Sequence, residues 1–410
     1  MTTNNWSELP SHFDLENDIY SLFNILGELH LLYNPSEALV FTKTKTQNIL
    51  TNKCYDGGLE EFLEKLGREE VGYSSVRNET TLIHCFYELG HYVEDTSVWN
   101  ELDDETILGI WMVYTSRLPL EDCDPGKLKS LKVKLAPSSP TDYEVAFSKG
   151  REHLLRGDCY QYNLTFPQSL MISDFKLDEF LSRWKNKEHR GDYAHFTSVN
   201  GTHYFSNSPE CLFDLQEREG GWELHTRPIK GTISSDIPNA WETLKGSQKN
   251  ESELYMITDL LRNDLNRIED PQVEVLALKE RMDVPGLVHS YSHLKVDLSD
   301  EVSLLKMIRS LFPGGSITGA PKKRVMEIIS SLEPSHRGFY CGSSILKSSE
   351  FIGASINIRS GYFTPVKDKA ETQMAKLLYW SGGGVTISSE CDEEYREILD
   401  KTHSFVRFLS

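Results

Sequence analysis

The stretch His225 to Thr232, HTRPIKGT, sets Lys230 between an Arg-Pro pair and a Gly-Thr in an otherwise strand-like segment. A lysine there is a solvated charge, a phosphate clamp or a nucleophile, and residue types alone leave all three open. In SGGGVTISSECDEEYREILDK, Glu394 and Glu397 are three apart and Lys401 lies four beyond Glu397. On a helix all three project from one face. That is the spacing of an ordinary salt-bridged surface, and equally of an oxygen-ligand site for a hard cation such as Mg2+. A third acid, Glu253 in NESELYMITDLLRND, stands at the leading end of a stripe of Met256, Ile257, Leu260 and Leu261. Its plain reading is a helix-start carboxylate favoured by the dipole. Asp259, Arg262 and Asp264 read as an internal salt-bridge set.

A glycine-rich stretch, PGGSITGAPKK from Pro313 to Lys323, imitates a phosphate-binding loop, with Gly314 and Gly319 five apart. The nucleotide motif needs Gly-Lys-Ser/Thr in direct succession so that the hydroxyl reaches magnesium, whereas Gly319 is followed by Ala-Pro-Lys. A glycine turn leading into a helix, with Pro321 in its first turn, remains. Backbone N–H groups at such a turn suit a carboxylate.

These groups need elements to hold them. The chain has 410 residues, 39% of them hydrophobic, enough for a sizeable core. A formal net charge of -19 disfavours nucleic acid and anionic membrane surfaces as partners. No apolar stretch is long enough to span a bilayer, and the N-terminus lacks a basic region followed by an apolar one. Seven scattered cysteines without a CxxC pair suit reduced thiols, so the expectation is a soluble cytoplasmic protein. KLAPSSPTD, Lys134 to Asp142, reads as a linker between a first region, 1–135, and a second, 142–410. After it TDYEVAFSKGREHLLRGD reads as a helix, with Thr141 and Glu144 at capping-box spacing and Gly157 as its stop. Further strands and helices follow irregularly, which predicts an α+β fold with largely antiparallel sheets.

Taken in order, GDCYQYNLT, SNSPECLF, RPIKGT, MITDLLRND, FPGGSITGAPKKRVMEII, GFYCGSSI, INIRS and GGGVTIS…EEYREILDK resemble the chorismate-utilising enzymes, over about residues 142 to 405. This family includes anthranilate synthase component I, aminodeoxychorismate synthase component I, and isochorismate and salicylate synthases. The sequence departs from the family at three places. Ser-Ser-Glu-Cys-Asp replaces the usual Asp-Ser-Asp-Pro-Glu, Leu254 replaces a histidine, and HSYS retains only His289 and Ser292 of a His-Leu-Val-Ser segment.

The resemblance implies an anthranilate synthase component I-like α+β fold, two sheet-bearing halves with chorismate and Mg2+ in the cleft between them. Carried over, Glu253, Glu394 and Glu397 surround the metal, directly or through water. Arg359 and Tyr340 hold one substrate carboxylate. Lys401 and the backbone around Gly315 and Ser316 hold other polar groups, and His289, Gly383 and Gly384 line the pocket. Members that activate water carry a lysine where this chain has Gln161, whose amide is no base. Anthranilate synthases usually have alanine at the position of Lys230; aminodeoxychorismate synthases have PIKGT, as here. The resemblance therefore implies that Lys230, in a closed cleft near another cation, attacks C2 of chorismate while the C4 hydroxyl leaves. Ammonia from a separate glutamine amidotransferase then adds at C4, with Glu210 as proton donor and acceptor and Thr232 shaping the pocket. The rival readings are anthranilate synthesis, with ammonia entering at C2 and pyruvate released, a non-catalytic scaffold for a glutaminase, and a nucleotide-dependent enzyme.

Overall fold

A computed structural model describes residues 6, 8–74, 79–123, 130–268, 272–284, 287–299, 302–367 and 373–409. Its backbone is one long antiparallel ladder with helices laid against it. From one edge, strand Lys132–Ala136 pairs with Gln161–Ser173, which pairs with the long Gln373–Val385 strand. The ladder continues through Ser360–Lys367, Thr202–Ser208 and Tyr193–Val199. It then enters the first region through Tyr20–Ile25, Glu28–Thr42, Ile107–Pro119 and Thr80–Cys85. From there it returns through Ser343–Lys347, Ile352–Ile356, Cys211–Arg218, Gly221–Arg227 and Leu287–Leu298. Strands of the first region thus pair directly with strands of the second. Among the described residues every pairing is antiparallel, in keeping with the α+β expectation.

The core falls into clusters set by this path. The largest gathers Phe41, Phe62, Trp111, Phe213, Trp222, Ile257, Leu261, Met307 and Trp380, drawing both regions together. A second, around Trp184, Phe180, Phe196, Phe205 and Phe363, takes in Phe405 and Leu409 of the last helix, Cys391–Leu409.

Local signals act largely as their chemistry dictates. Asn200-Gly201, both with positive φ, turns the Tyr193–Val199 and Thr202–Ser208 hairpin. Gly157, φ 77, ends the helix Pro140–Arg156. That helix starts earlier than the Thr141 capping box predicts: the Ser139 hydroxyl accepts from the Asp142 amide at 3.2 Å, and Pro140 takes the first helical position. The expected linker is correspondingly shorter, since Lys134–Ala136 belongs to a strand. The segment from Asn239 to Leu265 forms two helices, Ala240–Lys245 and Gln248–Asn266, because Ser247 caps the second through the Asn250 amide. The buried stripe of that second helix is Leu254, Ile257, Thr258, Leu261, Asp264 and Leu265; Met256 and Leu260 are only half-buried. Leu254, which replaces the family histidine, is fully buried.

Candidate active site

Lys230 lies on the short strand Ile229–Ser234, whose register against Leu287–Leu298 shifts between Ile229 and Thr232. Such a bulge re-aims a side chain, and Gly231 supplies the backbone for it with φ 88. The Lys230 side chain is 14% exposed. A Cβ placed on Gly384 would stand 3.2 Å from its Nζ and 2.6 Å from Gln161 Nε2, so the bare glycine leaves the space that both nitrogens face. Among the described residues a carboxylate, Glu253 Oε2, lies 3.8 Å from the Lys230 Nζ.

Gln161 opens its strand opposite Ala320 and is fully buried, with neither amide atom hydrogen-bonded. Glu253 Oε1, His289 Nε2 and Ser316 Oγ are likewise buried without a partner. Each such atom costs about 1–3 kcal/mol unless something satisfies it. Gln161 and Glu253 stand beside Lys230, and such unpartnered polar groups mark a place built for a polar ligand.

Glu210 is held from both sides: its amide donates to Ser208 Oγ at 3.1 Å, and its carbonyl accepts from the Ile356 amide at 3.0 Å. Ser208 in turn donates to the Ile356 carbonyl at 2.6 Å. The Ser two residues before the Glu in SNSPE is thus a positioning hydroxyl that sequence reading passed over. Burial pushes the Glu210 carboxyl above the usual range, against the pull of Ser316 and the charges of Lys230, Arg359 and Lys401. Ser316 stands close enough to oppose the shift but makes no well-formed hydrogen bond to it. A buried carboxyl with a raised pKa retains its proton longer, which is what a general acid requires.

Arg359 adopts φ 51 and Cys341 φ 60, left-handed conformations that bulky residues rarely take. The two turns interlock, since the Cys341 amide donates to the Asn357 carbonyl and the Asn357 amide to the Gly342 carbonyl. Tyr340 stacks on Trp380, ring centroids 5.8 Å apart, which fixes its ring. Burial lowers the Arg359 pKa, while Tyr379 and Glu210 favour its charge. Burial, helped by the Arg359 charge, lowers His289 to about 4, so its imidazole is neutral near pH 7. Its Nδ1 lies 2.7 Å from Thr232 Oγ1, binding the lysine strand to its neighbour.

On the strand Gln373–Val385, Gly383 beside Gly384 faces carboxylates: a Cβ there would stand 3.3 Å from Glu394 Oε2 and 3.4 Å from Glu397 Oε1. Lys401 donates to the Gly382 carbonyl at 2.6 Å and pairs with Glu397 at 2.7 Å. Among the described residues no three His, Cys, Asp or Glu side chains are drawn together as ready metal ligands. Gly315 and Ser316 sit in the turn Gly315–Ile317, separated from the helix Lys322–Leu332 by the short strand Gly319–Ala320. Arg262 and Asp259 make a long, exposed pair, while Asp264 is buried and pairs with Lys322 instead, so the expected internal set of three does not form.

A family model described as chorismate binding enzyme matches residues 83–407. The chain belongs to that family. It is 34% identical to aminodeoxychorismate synthase component 1 of Klebsiella aerogenes over 283 residues, 67% of this chain and 59% of that protein. The same component of Escherichia coli is 34% identical over 65% of this chain and 57% of its own length. The match thus spans less than two thirds of these relatives. In structure the chain resembles anthranilate synthase component I of Streptococcus pneumoniae, with a TM-score of 0.72, 20% identity, and 98% and 95% of the two chains covered. An isochorismate synthase described as putative, from Bacillus anthracis, superposes with a TM-score of 0.69 at 17% identity, covering 97% of each chain. Both establish the fold. Among the described residues no helix is long and apolar enough to cross a membrane.

Proposed function

We propose that this chain is the synthase component of an aminodeoxychorismate synthase, converting chorismate and ammonia to 4-amino-4-deoxychorismate, with Lys230 as covalent nucleophile. The observation that carries the reading is the Lys230 amine, buried beside Gly384 and Gln161 among polar atoms that lack partners. The identity to two proteins of that name supports it. In the first displacement the amine forms a bond to C2, the two ring double bonds shift, and the C4–O bond breaks. Glu210 gives the departing hydroxyl its proton, so water leaves. Ammonia then bonds to C4, the double bonds shift back, and the C2–N bond breaks. Glu210 accepts a proton from the incoming amine. Gln161, having no basic atom at neutral pH, leaves water unactivated. Arg359 offers a planar fork to a substrate carboxylate, and the neutral His289 presents Nε2 to the same cleft.

The carboxylates fit Mg2+. All three are hard oxygen donors, Glu253 Oε1 is buried without a partner, and Glu394 and Glu397 flank the space that Gly383 leaves open. Mg2+ commonly keeps several waters and takes one or two carboxylates together with substrate oxygens, so these residues need not close into a cage. When bound it supplies neutralisation of substrate carboxylate charge. Lys401 holds Glu397 and the Gly382 carbonyl in place. Ammonia comes from a glutamine amidotransferase subunit, the partner that a component 1 would require, and the site of action is the cytoplasm.

Intact-protein mass tests the covalent step. Incubated with chorismate and Mg2+ without ammonia, the protein should gain the mass of chorismate less water, mapping to the Lys230 peptide. Lys230→Ala should gain nothing and lose nearly all C4 amination. An alanine variant that makes the C4-amino product at near wild-type rate would end this reading.

A further inference from the structure

Lys322 and Asp264 form an ion pair at 2.7 Å, with side chains 5% and 2% exposed. Glu94 lies 3.8 Å from Lys322, and Arg267 joins both acids, at 3.2 Å to Glu94 and 3.7 Å to Asp264. Removing two charges from water is costly, and a pair of apolar side chains would serve stability equally well. What the pair joins is therefore informative. Asp264 lies eleven residues beyond Glu253 on the helix Gln248–Asn266, just over three full turns, and so on the same face. Midway along that face Leu260 meets the glycine loop: a Cβ on Gly315 would stand 2.5 Å from its Cδ2. Lys322 begins the next helix, two residues after Ala320, which pairs with Gln161. The Thr318 carbonyl accepts from the Asn163 amide at 2.8 Å, fixing the loop's other side.

We propose that Lys322 is a positioning residue: its bond to Asp264 sets the glycine loop 313–320 against the Glu253 helix. In that setting Gly315, Ser316, Gln161 and Glu253 present one fixed geometry to substrate. An apolar pair at the same positions fills the space but has no preferred register, so the loop slides against Leu260. The stabilities of the single and double variants separate this role from mere support of the fold. Breaking one partner strands a buried charge; replacing both removes the charge altogether.

The proposal rests on chorismate being the substrate, so the test has one arm that needs no substrate. Lys322→Met, Lys322→Arg and the double variant Lys322→Met with Asp264→Leu are compared by melting temperature, by hydrogen exchange of amides 314–320, and by chorismate kinetics. Lys322→Met should melt lower. The double variant should recover the melting temperature yet keep faster exchange in the loop and a chorismate KM raised by roughly tenfold, with kcat changed by less than about threefold. Lys322→Arg should restore slow exchange and most of the KM. A double variant whose exchange and KM return to wild type with its melting temperature would overturn the proposal. If the wild type does not use chorismate at all, the exchange arm still decides the clamp, and the failure belongs to the functional reading.

Discussion

At the scale of single residues, what matters is how each charged group is compensated. Glu210 is buried among Lys230, Arg359 and Lys401 yet remains raised, because burial outweighs three cations that stand at a distance. Arg359 has a strained backbone, which places its guanidinium where an unstrained turn would not. Its planar fork is what a carboxylate needs, and lysine at that position would offer only a point charge. Arg359→Lys should therefore cut chorismate kcat/KM by roughly a hundredfold, about 2.7 kcal/mol of lost stabilisation, while the variant stays folded. Steady-state kinetics check this, and a change below threefold would mean that another group anchors the substrate. Lys230, Glu210 and the Glu394 and Glu397 pair were all legible as residues in the sequence. Their partners were not. Thr232 and His289 are 57 positions apart, Lys322 and Asp264 are 58 apart, and no local spacing encodes such meetings.

Among the elements, the strand Gln373–Val385 does the positioning with what it lacks. Consecutive glycines leave room, Gly383 for Glu394 and Glu397 and Gly384 for Lys230 and Gln161. Gly384 has no left-handed φ, so alanine fits its backbone and the added methyl acts only on the cleft. Gly384→Ala should lower turnover by roughly a hundredfold through displacement of the Gln161 amide and the Lys230 amine, with a melting temperature within a few degrees of wild type. Gly231 is the contrast, since φ 88 adds backbone strain of about 1 kcal/mol to any loss of activity. Strands and helices themselves were readable from alternation and caps; the bulge at Lys230–Gly231 was not. A bulge is a property of register between two strands, and a single strand's pattern carries no register. The split of the Asn239 to Leu265 segment was readable in principle, from Gly246 followed by Ser247 at N-cap spacing to Asn250.

For the whole molecule, the buried imidazoles govern acid sensitivity. Burial holds His91, His195, His203 and His289 at about 4, against an ordinary value of 6.5. A histidine depressed on folding contributes stability that is present above pH 6.5 and is lost as pH falls toward 4, because the unfolded chain binds the proton first. Buried carboxyls such as Asp264 and Glu210, raised by burial, act in the opposite sense at the acidic end. The melting temperature should fall between pH 7 and pH 5, read by calorimetry; a flat profile would mean that these rings are not buried as described. The interleaving of both regions in one ladder was only partly legible, since pairing between distant strands follows from the fold and not from either segment's pattern. The central claim concerns where nitrogen enters the ring. The most direct measurement is product analysis by mass, with a parallel pyruvate assay, after incubating the chain with chorismate, Mg2+ and an ammonium salt. Attack by Lys230 at C2 should yield 4-amino-4-deoxychorismate with no pyruvate released, whereas anthranilate with an equivalent of pyruvate would rule that attack out.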